Sequence, residues 1–342
     1  MKVTINDVAK LAGVSMKTVS RVINKEPSVR KKTHDIVMAA VKELNYQPNL
    51  AARNLAGSSA FAIGLVYDNP NAYYVIDMQN GVLSRCRQEG YELVIHPCSY
   101  ADSQMRDELK TMIQRSRIAG LVLTPPLSEQ QDIIDELDSM NMHYVRILSG
   151  RGSSNDDDSC IYVNDYAASY EITAHLIGLG HKNIAFICGD EEHKSTSERL
   201  AGYQKALSDN GISQRDEFIY RGEYSFESGV NGAKELLKDN NALAVTAVMG
   251  GNDEIAAGAL FAARLMNIAI PSELAITGFE DSPFSKQTWP KLTTAHQEND
   301  VISEHAARLL FSKTRGARNQ DKDITRIFTP TLVVRDSSAA QS

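Results

Sequence analysis

The stretch VTINDVAKLAGVSMKTVSRVIN, residues 3–24, decides the fold of the N-terminal part of the chain. Thr4, followed three residues later by Asp7, has the pattern of a capping box, which begins a helix. Apolar residues then recur at helical spacing. Gly13 suits a left-handed exit from this helix, and Ser15 is a natural N-cap for a second one. Two helices joined by a glycine-containing turn predict a helix-turn-helix.

A third helix is expected to close a small core behind the first two. Its apolar pattern runs from about Lys32 to Leu44 and lies on one side of the helix. Together the three helices predict a bundle. Its expected core residues are Ile5, Val8, Ala9, Ala12, Val19, Val22, Ile23, Ile36, Val37, Ala40, Val41 and Leu44.

The second helix is the expected reader of DNA, because its outward side chains are not needed to fill the core. Arg21 or Lys17 suits guanine O6 and N7 in the major groove, and Met16 suits a thymine methyl group. The alternative is an ordinary solvated helix face. Other side chains expected at the DNA are Ser15, Thr18 and Ser20. Phosphate contacts, which fix register rather than sequence, are expected from Thr4, Asn24 and Thr33.

Residues 48–59 predict a short hinge helix. Pro48 ends the preceding helix, Asn49 is a natural N-cap and Gly57 a natural end. A free helix needs roughly 12 to 15 residues for marginal stability in water, so we expect this one to fold on DNA or on a partner subunit. Leu55 would then be a wedge in the minor groove. A plain linker is the alternative. The expected DNA contacts of the segment are Asn49, Ala52, Leu55 and Ala56.

The charge of the chain is divided unevenly along its length. Residues 1–60 hold 10 Lys and Arg against 4 Asp and Glu, whereas the remainder holds 26 against 39. A basic module on an acidic body is expected when only one end of a protein meets phosphate. A basic surface without a partner is the alternative reading of this charge alone.

Bulk composition indicates a globular protein. The chain is 42% hydrophobic and has no apolar run of membrane-spanning length. Asp7 lies where a signal peptide would be apolar, so we expect a cytoplasmic protein. The four cysteines form no Cys-x-x-Cys pair, which favours reduced thiols over a disulfide framework or a zinc site. No metal or cofactor is expected.

From Phe61 onward, short β-rich runs alternate with helical stretches, which predicts an α/β body of parallel sheets. There are enough runs for two lobes, and crossings between them are expected near 150–162 and 285–297. The acidic residues at 156–158 are expected to be solvated loop charges. The predicted strands are 61–67, 91–96, 120–124, 144–148, 183–188, 246–249 and 274–277.

Polar residues after these runs are candidates for a ligand site, because open α/β sheets bind ligands beyond the carboxyl ends of their strands. Catalysis is not expected, since no nucleophile elbow, Walker loop, dinucleotide glycine pattern or metal-spaced histidine cluster occurs. A sugar-carrying binding protein would explain the body but not the helix-turn-helix. The candidates are Asp68, Asn69, Arg146, Asn252, Asp253, Glu280 and Asp281.

Residues 3–24 and the segment LNYQPNLAARNLAG (44–57) resemble the headpiece and hinge of the lactose/galactose repressor (LacI/GalR) family. The resemblance implies a second helix in the major groove and a dimer on a pseudo-palindromic, CG-centred operator, with Leu55 intercalated at the centre. Arg30 departs from the family pattern, because many members place Ser or Thr there to cap the third helix. The C-terminal tail has no heptads, so a dimer is expected rather than a tetramer.

The resemblance extends to about Leu332 and implies an effector cleft between two periplasmic-binding-protein-like lobes. In one lobe it implies that Arg199, Asn252, Glu280 and Gln297 hold ligand hydroxyls, that Tyr224 stacks on the ligand and that Ser195 adds a contact. The other lobe would supply Asp68, Asn69, Tyr73, Tyr74 and Arg146.

Such a set suits a sugar, with carboxylate, amide and guanidinium groups for hydroxyls and an aromatic ring for the C–H face. Many members place Asp where this chain has Glu280. Other roles stay open: a salt bridge for Arg199, a helix cap for Asn252 and a core position for Tyr224.

The sequence thus predicts a headpiece (1–47), a hinge (48–59) and an effector-binding and dimerisation body (60–342). The expected function is a repressor of carbohydrate utilisation genes controlled by a small sugar. A purine-, nucleoside- or co-repressor-responsive regulator is the alternative. The direction of the effector's action is left open.

Overall fold

The computed structural model describes residues 3–23, 29–46, 61–69, 71–152, 158–238, 245–315 and 324–338. It divides into two compact units, Met1–Phe61 and Ala62–Ser342. The domain limits given above stay a prediction, because the hinge lies outside the described residues. So do the predicted DNA contacts Asn24, Asn49, Ala52, Leu55 and Ala56.

The N-terminal unit contains the three predicted helices: α1 (Ile5–Ala12), α2 (Met16–Ile23) and α3 (Lys31–Glu43). Helix α3 begins and ends one residue before its predicted bounds. Both α1 and α2 pack on α3, and α1 also packs on α2. The unit is therefore the three-helix bundle that the apolar periodicity predicts.

The caps of α1 and α2 follow from local sequence. The Thr4 hydroxyl donates to Asp7 Oδ2, and the backbone N–H of Thr4 donates to the same oxygen at 2.9 Å. These two hydrogen bonds lower the pKa of Asp7. Gly13 has φ of 65°, the left-handed region that glycine adopts without strain. Thr18 donates its backbone N–H to the Ser15 hydroxyl at 3.2 Å. Arg30 provides no side-chain cap for α3.

The bundle core is centred on Val8, Val19 and Val37, each fully buried. Ile36 was expected in this core, but its side chain is 45% exposed. It precedes Val37 by one residue, which turns it about 100° around the helix and out of the buried stripe. The prediction for Ile36 is therefore wrong.

The first lobe of the body is built on a parallel sheet, which in the described part of the chain has the order β11-β5-β4-β3-β1-β2. The strands are β1 (Ala62–Tyr67), β2 (Glu92–Pro97), β3 (Ile118–Leu123), β4 (Tyr144–Ser149), β5 (Cys160–Val163) and β11 (Ile327–Phe328). The helices of this lobe are α4 (Ala72–Glu89), α5 (Met105–Ser116), α6 (Gln131–Ser139) and α12 (Asn299–Thr314).

The second lobe is built on a smaller parallel sheet, with the order β7-β6-β8-β9 among the described strands. Those strands are β6 (Ile184–Ile187), β7 (Ile219–Tyr220), β8 (Ala247–Gly250) and β9 (Ala275–Thr277). Two further strands, β10 (Thr294–His296) and β12 (Thr331–Val333), pair antiparallel. The helices are α7 (Asp165–Gly178), α8 (Lys194–Asp209), α9 (Phe226–Leu237), α10 (Asp253–Leu265) and α11 (Pro283–Gln287).

The observed crossings lie at the ends of the predicted segments near 150–162 and 285–297, and the chain has a third crossing. Strands β4 and β5, on either side of the predicted crossing at 150–159, are parallel neighbours in one sheet, so both belong to the first lobe. The chain crosses after β5, where α7 begins and packs on α8. It returns between β10 and α12, at the end of the predicted segment 285–297, and crosses again between β11 and β12.

Two findings bear on membrane and redox chemistry. Among the described residues, no helix is long and apolar enough to cross a membrane. The four cysteines are free thiols, three of them buried and Cys98 half-buried. Burial raises the pKa of Cys86 and Cys98 to about 12 and of Cys188 to about 11, so these three are protonated near neutral pH.

Candidate functional site

A narrow cavity of about 40 Å³ lies between the two lobes of the body. Its walls come from residues near the carboxyl ends of strands in both sheets and from the first turns of α4, α7 and α8. This is the position that open parallel sheets offer to a ligand. The predicted effector residues that line it are Asn69, Tyr74, Ser195, Arg199, Tyr224, Asn252, Glu280 and Gln297.

Three predicted effector residues do not line this cavity. Asp68 accepts the backbone N–H of Tyr100 at 2.7 Å and so fixes the loop after β2. Tyr73 lies in a groove outside the cavity, with its ring edge-on to Phe284. Arg146 is inside β4 rather than after it, and its Nε donates to the carbonyl of Ser128 at 2.6 Å.

Arg199 is the charged centre of the cavity and is only 4% exposed. Its Nε donates to Asp165 Oδ1 at 2.7 Å, and its Nη1 donates to the carbonyl of Gly251 at 2.6 Å. Its guanidinium lies 3.8 Å from the centre of the Phe279 ring. Burial alone would lower the pKa of Arg199, but the neighbouring carboxylates outweigh it and raise that pKa. Arg199 is therefore both a lining residue and a buried ion-pair partner.

Glu280 follows β9 and reaches across to the first lobe. Its Oε2 accepts from Asn71 Nδ2 at 2.8 Å, while its Oε1 lies 3.7 Å from Arg199 Nη1. Its backbone has φ of 98°, a conformation that side-chain-bearing residues rarely adopt. Burial raises the pKa of Glu280 to about 7, against the opposing effect of Arg199. The group can therefore change its charge near neutral pH.

The two buried amides of the second lobe have different roles. Asn252 caps α10, because its Oδ1 accepts the backbone N–H of Ile255 at 2.9 Å. Gln297 donates its Nε2 to Asn299 Oδ1 at 2.7 Å, whereas its Oε1 is buried without a hydrogen-bond partner. An unsatisfied buried acceptor is costly unless something donates to it. Gln297 Oε1 is therefore a point where a ligand donor fits.

Tyr224 forms the aromatic wall of the cavity. Its hydroxyl is 3.1 Å from Ser195 Oγ and 2.9 Å from Thr196 Oγ1, which fixes the ring. The ring meets His193 edge-on, with centroids 5.4 Å apart. Burial lowers the pKa of His193, so this imidazole is neutral near pH 7.

Several lining residues were missed by sequence reasoning, chiefly Asn71, Ser149, Asp165 and His193. Asp165 holds Arg199 and accepts from Ser149 Oγ at 2.5 Å. The signal for Asp165 was present, since it follows the apolar run of β5. The run was predicted to be part of the crossing near 150–162, so it was not recognised as a strand.

Helix α2 carries the residues predicted to read base edges. Met16 is 50% exposed, and Lys17 and Arg21 are also exposed, whereas Val19 and Val22 face the core. Ser15 and Thr4 are exposed at the helix starts, and the other predicted contacts that the structure describes are half-buried: Thr18, Ser20 and Thr33. The helix thus presents a basic and apolar surface at the positions expected to read base edges.

A helix-turn-helix unit together with a two-lobed, cavity-bearing body defines a class of ligand-responsive DNA-binding regulators. Residues 4–49 match the family described as bacterial regulatory proteins, lacI family, and residues 173–338 match the periplasmic binding protein-like domain. The chain belongs to the lacI family of bacterial transcriptional regulators.

Similar proteins cover the whole chain. The HTH-type transcriptional repressor PurR of Actinobacillus pleuropneumoniae is 32% identical over 334 residues, 98% of each chain. PurR of Salmonella paratyphi B is 32% identical over 337 residues, covering 98% of this chain and 97% of its own.

Solved structures agree with this assignment. The lac repressor dimer bound to operator and the anti-inducer ONPF has a TM-score of 0.73 and 28% identity, covering 99% of this chain and all of its own. The complex of the transcriptional regulator CelR with cellobiose has a TM-score of 0.72 and 26% identity, covering 98% of this chain and 99% of its own.

Proposed function

We propose that this chain is a DNA-binding repressor whose affinity for its operator is set by a small molecule in the interlobe cavity. The observation that carries the proposal is the cavity itself, where polar groups of both lobes converge on buried Arg199. A ligand that contacts both lobes changes the angle between them, and such a change is a common means of coupling two sites.

A carbohydrate is the first candidate effector. The cavity offers carboxylate, amide and guanidinium groups beside the ring of Tyr224, which suits hydroxyls and an apolar sugar face. The similar CelR structure contains cellobiose, which supports the same class of ligand. Because Glu280 is longer than the aspartate of many family members and reaches Asn71, it limits the size of the sugar.

A purine is the second candidate, and the PurR relatives favour it. Two aromatic residues in the cavity, Tyr74 and Tyr224, suit a planar ring, and the free acceptor of Gln297 suits a ring N–H.

The DNA partner is proposed to be a pseudo-palindromic, CG-centred operator bound by a dimer. The lac repressor structure is a dimer on its operator and supports this arrangement. Helix α2 would lie in the major groove, and Leu55 of the hinge would enter the minor groove at the centre. The protein would then act in the cytoplasm, where the DNA is.

The DNA half of the proposal is tested with Arg21→Ala, measured on an operator selected from random double-stranded DNA and on unrelated DNA. If Arg21 reads a base, its removal should weaken binding to the operator by about 1–3 kcal/mol and binding to unrelated DNA by much less. Lys42→Ala removes the same charge from an exposed position of α3 and should weaken binding to the operator and to unrelated DNA alike. Equal losses for Arg21→Ala on the two DNAs would refute base reading.

The effector half is tested by a thermal-shift screen of mono- and disaccharides and of purine bases, because a ligand of the folded state raises its stability. Compounds that bind are then added to the operator complex. A sugar or a purine that shifts both unfolding and operator affinity identifies the effector class. A ligand that binds without changing operator affinity contradicts the coupling.

A further inference from the structure

We infer that the cavity selects an uncharged effector and rejects phosphorylated or otherwise anionic molecules. This inference deepens the proposed function and rests on it, since it assumes that the cavity is the effector site. It follows from the way in which the chain's own side chains already satisfy the groups that would attract an anion.

The guanidinium of Arg199 is already paired. Asp165 Oδ1 accepts from it at 2.7 Å, and Glu280 Oε1 lies 3.7 Å away. Among the described residues, the lining therefore holds two carboxylates against one guanidinium. Above the pKa of Glu280, which is about 7, an anion entering here meets two negative charges against the one positive charge of Arg199. The site is poorly solvated, so Coulomb repulsion is stronger there than in water.

Helix N-termini are the other usual anion sites of α/β folds, and those at this cavity already donate to oxygens of the chain. At the start of α7, the backbone N–H of Ala167 donates to Asn164 Oδ1. Glu129, from the first lobe, accepts the first backbone N–H of α8 at Lys194, with its Oε2 at 3.2 Å. The side chain of Asn71 accepts from the first turn of α4, and that of Asn252 accepts from the first turn of α10. The backbone N–H groups in these first turns therefore donate to the chain's own oxygens rather than to a ligand.

Among the described lining residues, the fully buried side-chain atom that has no hydrogen-bond partner is an acceptor. Gln297 Oε1 is buried without a partner, and the carboxylate of Glu280 also accepts hydrogen bonds. His193 adds no positive charge near pH 7, because burial lowers its pKa. The lining therefore suits an uncharged molecule that presents O–H or N–H donors, such as a free sugar or a free purine base, once the lobes part and enlarge the cavity of about 40 Å³.

The first arm of the test compares matched pairs by calorimetry with the full chain: glucose against glucose 6-phosphate, fructose against fructose 6-phosphate, and hypoxanthine against its nucleoside monophosphate. In any pair that binds, the phosphorylated member should bind about tenfold more weakly or worse. A phosphorylated member that binds as tightly as its partner overturns the inference.

The second arm needs no known effector and uses inorganic phosphate at pH 8. Glu280→Gln removes a lining carboxylate while keeping an oxygen for Asn71, so it should bind phosphate about tenfold more tightly than the wild type. The control Glu235→Gln removes an exposed carboxylate of α9 that does not line the cavity and should change binding about twofold at most.

Equal phosphate binding by the wild type and Glu280→Gln overturns the inference even if no organic compound binds. The proposed function fails on a separate result, which is a bound ligand without any effect on operator affinity.

Discussion

At the scale of single residues, Glu280 combines three unusual properties. It has a left-handed backbone, a buried carboxyl group and a hydrogen bond to the opposite lobe. Each is costly or constraining alone, since strained backbone and buried charge persist only when surrounding contacts hold them. Asn71 and Arg199 provide those contacts. Glu280 is therefore a residue whose protonation should be visible in the stability of the whole body.

Glu280→Gln should change how stability depends on pH. The pKa of Glu280 is raised from 4.5 to about 7, so the folded state binds this proton more tightly than the unfolded state. The stabilisation of the folded state by this proton is fully present below pH 4.5 and is lost as pH rises to about 7. The variant should gain stability relative to the wild type across that window, by up to roughly 3 kcal/mol.

The measurement is chemical denaturation of both proteins at several pH values between 4.5 and 8. Glu235→Gln, which alters an exposed carboxyl group of α9 outside the cavity, serves as the control and should show a smaller pH-dependent change. A difference between wild type and Glu280→Gln that stays constant with pH would contradict the raised pKa.

Sequence reasoning located Arg199, Asn252, Glu280 and Gln297, because the family resemblance placed these residues in the effector cleft, and the structure brings them to one cavity. It misplaced Arg146, because a residue inside a strand points according to the pleat and not toward the strand end. The predicted strand 144–148 already contained Arg146, so the strand bounds did not cause this error.

At the scale of elements, the start and end of α1 are set by residues that act locally. Gly13 ends the helix at φ of 65°, and a Cβ added there would meet no atom within 4 Å. The cost of substituting it is therefore a backbone cost alone. Gly178, at the end of α7, also has open space around it, but without a left-handed φ.

This pair of glycines gives opposite predictions for one substitution. Gly13→Ala should destabilise the headpiece by about 1 kcal/mol, because alanine is strained where φ is positive. Gly178→Ala should stabilise the body by about 0.5–1 kcal/mol, because alanine is the better helix former. Native-state hydrogen exchange in the full chain separates the two units. Equal effects of the two substitutions would contradict the assigned conformations.

Elements were predicted best where they are buried apolar runs. The central strand β8 is buried throughout, and β1 and β3 are buried except for half-buried Tyr67 and Ala119, so all three stand out in the sequence. The two-residue strands β7 and β11 do not stand out in the sequence. They lie at sheet edges and are defined by pairing with a neighbouring strand rather than by a hydrophobic run. For β5, the adjacent acidic loop obscured a four-residue run and with it Asp165.

At the scale of the whole body, hydrogen bonds hold the lobes together across the cavity. Asn71 donates to Glu280, Ser149 donates to Asp165, and Glu129 accepts from the backbone of Lys194. A net hydrogen bond contributes about 1 kcal/mol, and about 1.5–3 kcal/mol when a partner is charged. Closure therefore depends on a few contacts, so that a ligand or one substitution can shift the angle between the lobes.

Asn71→Asp should open the body. The new carboxylate can still cap α4, but it loses the donor to Glu280 and brings a second negative charge against it. A loss of about 1.5–3 kcal/mol corresponds to a shift of roughly tenfold to a hundredfold toward the open form. Small-angle scattering should report a larger radius of gyration at pH 8, and a smaller change at pH 5.5, where protonation of Glu280 removes the repulsion. Asn164→Asp, a charge-matched change at the N-cap of α7, should leave the radius as in the wild type. If the two variants scatter alike, the Asn71–Glu280 contact does not hold the lobes together.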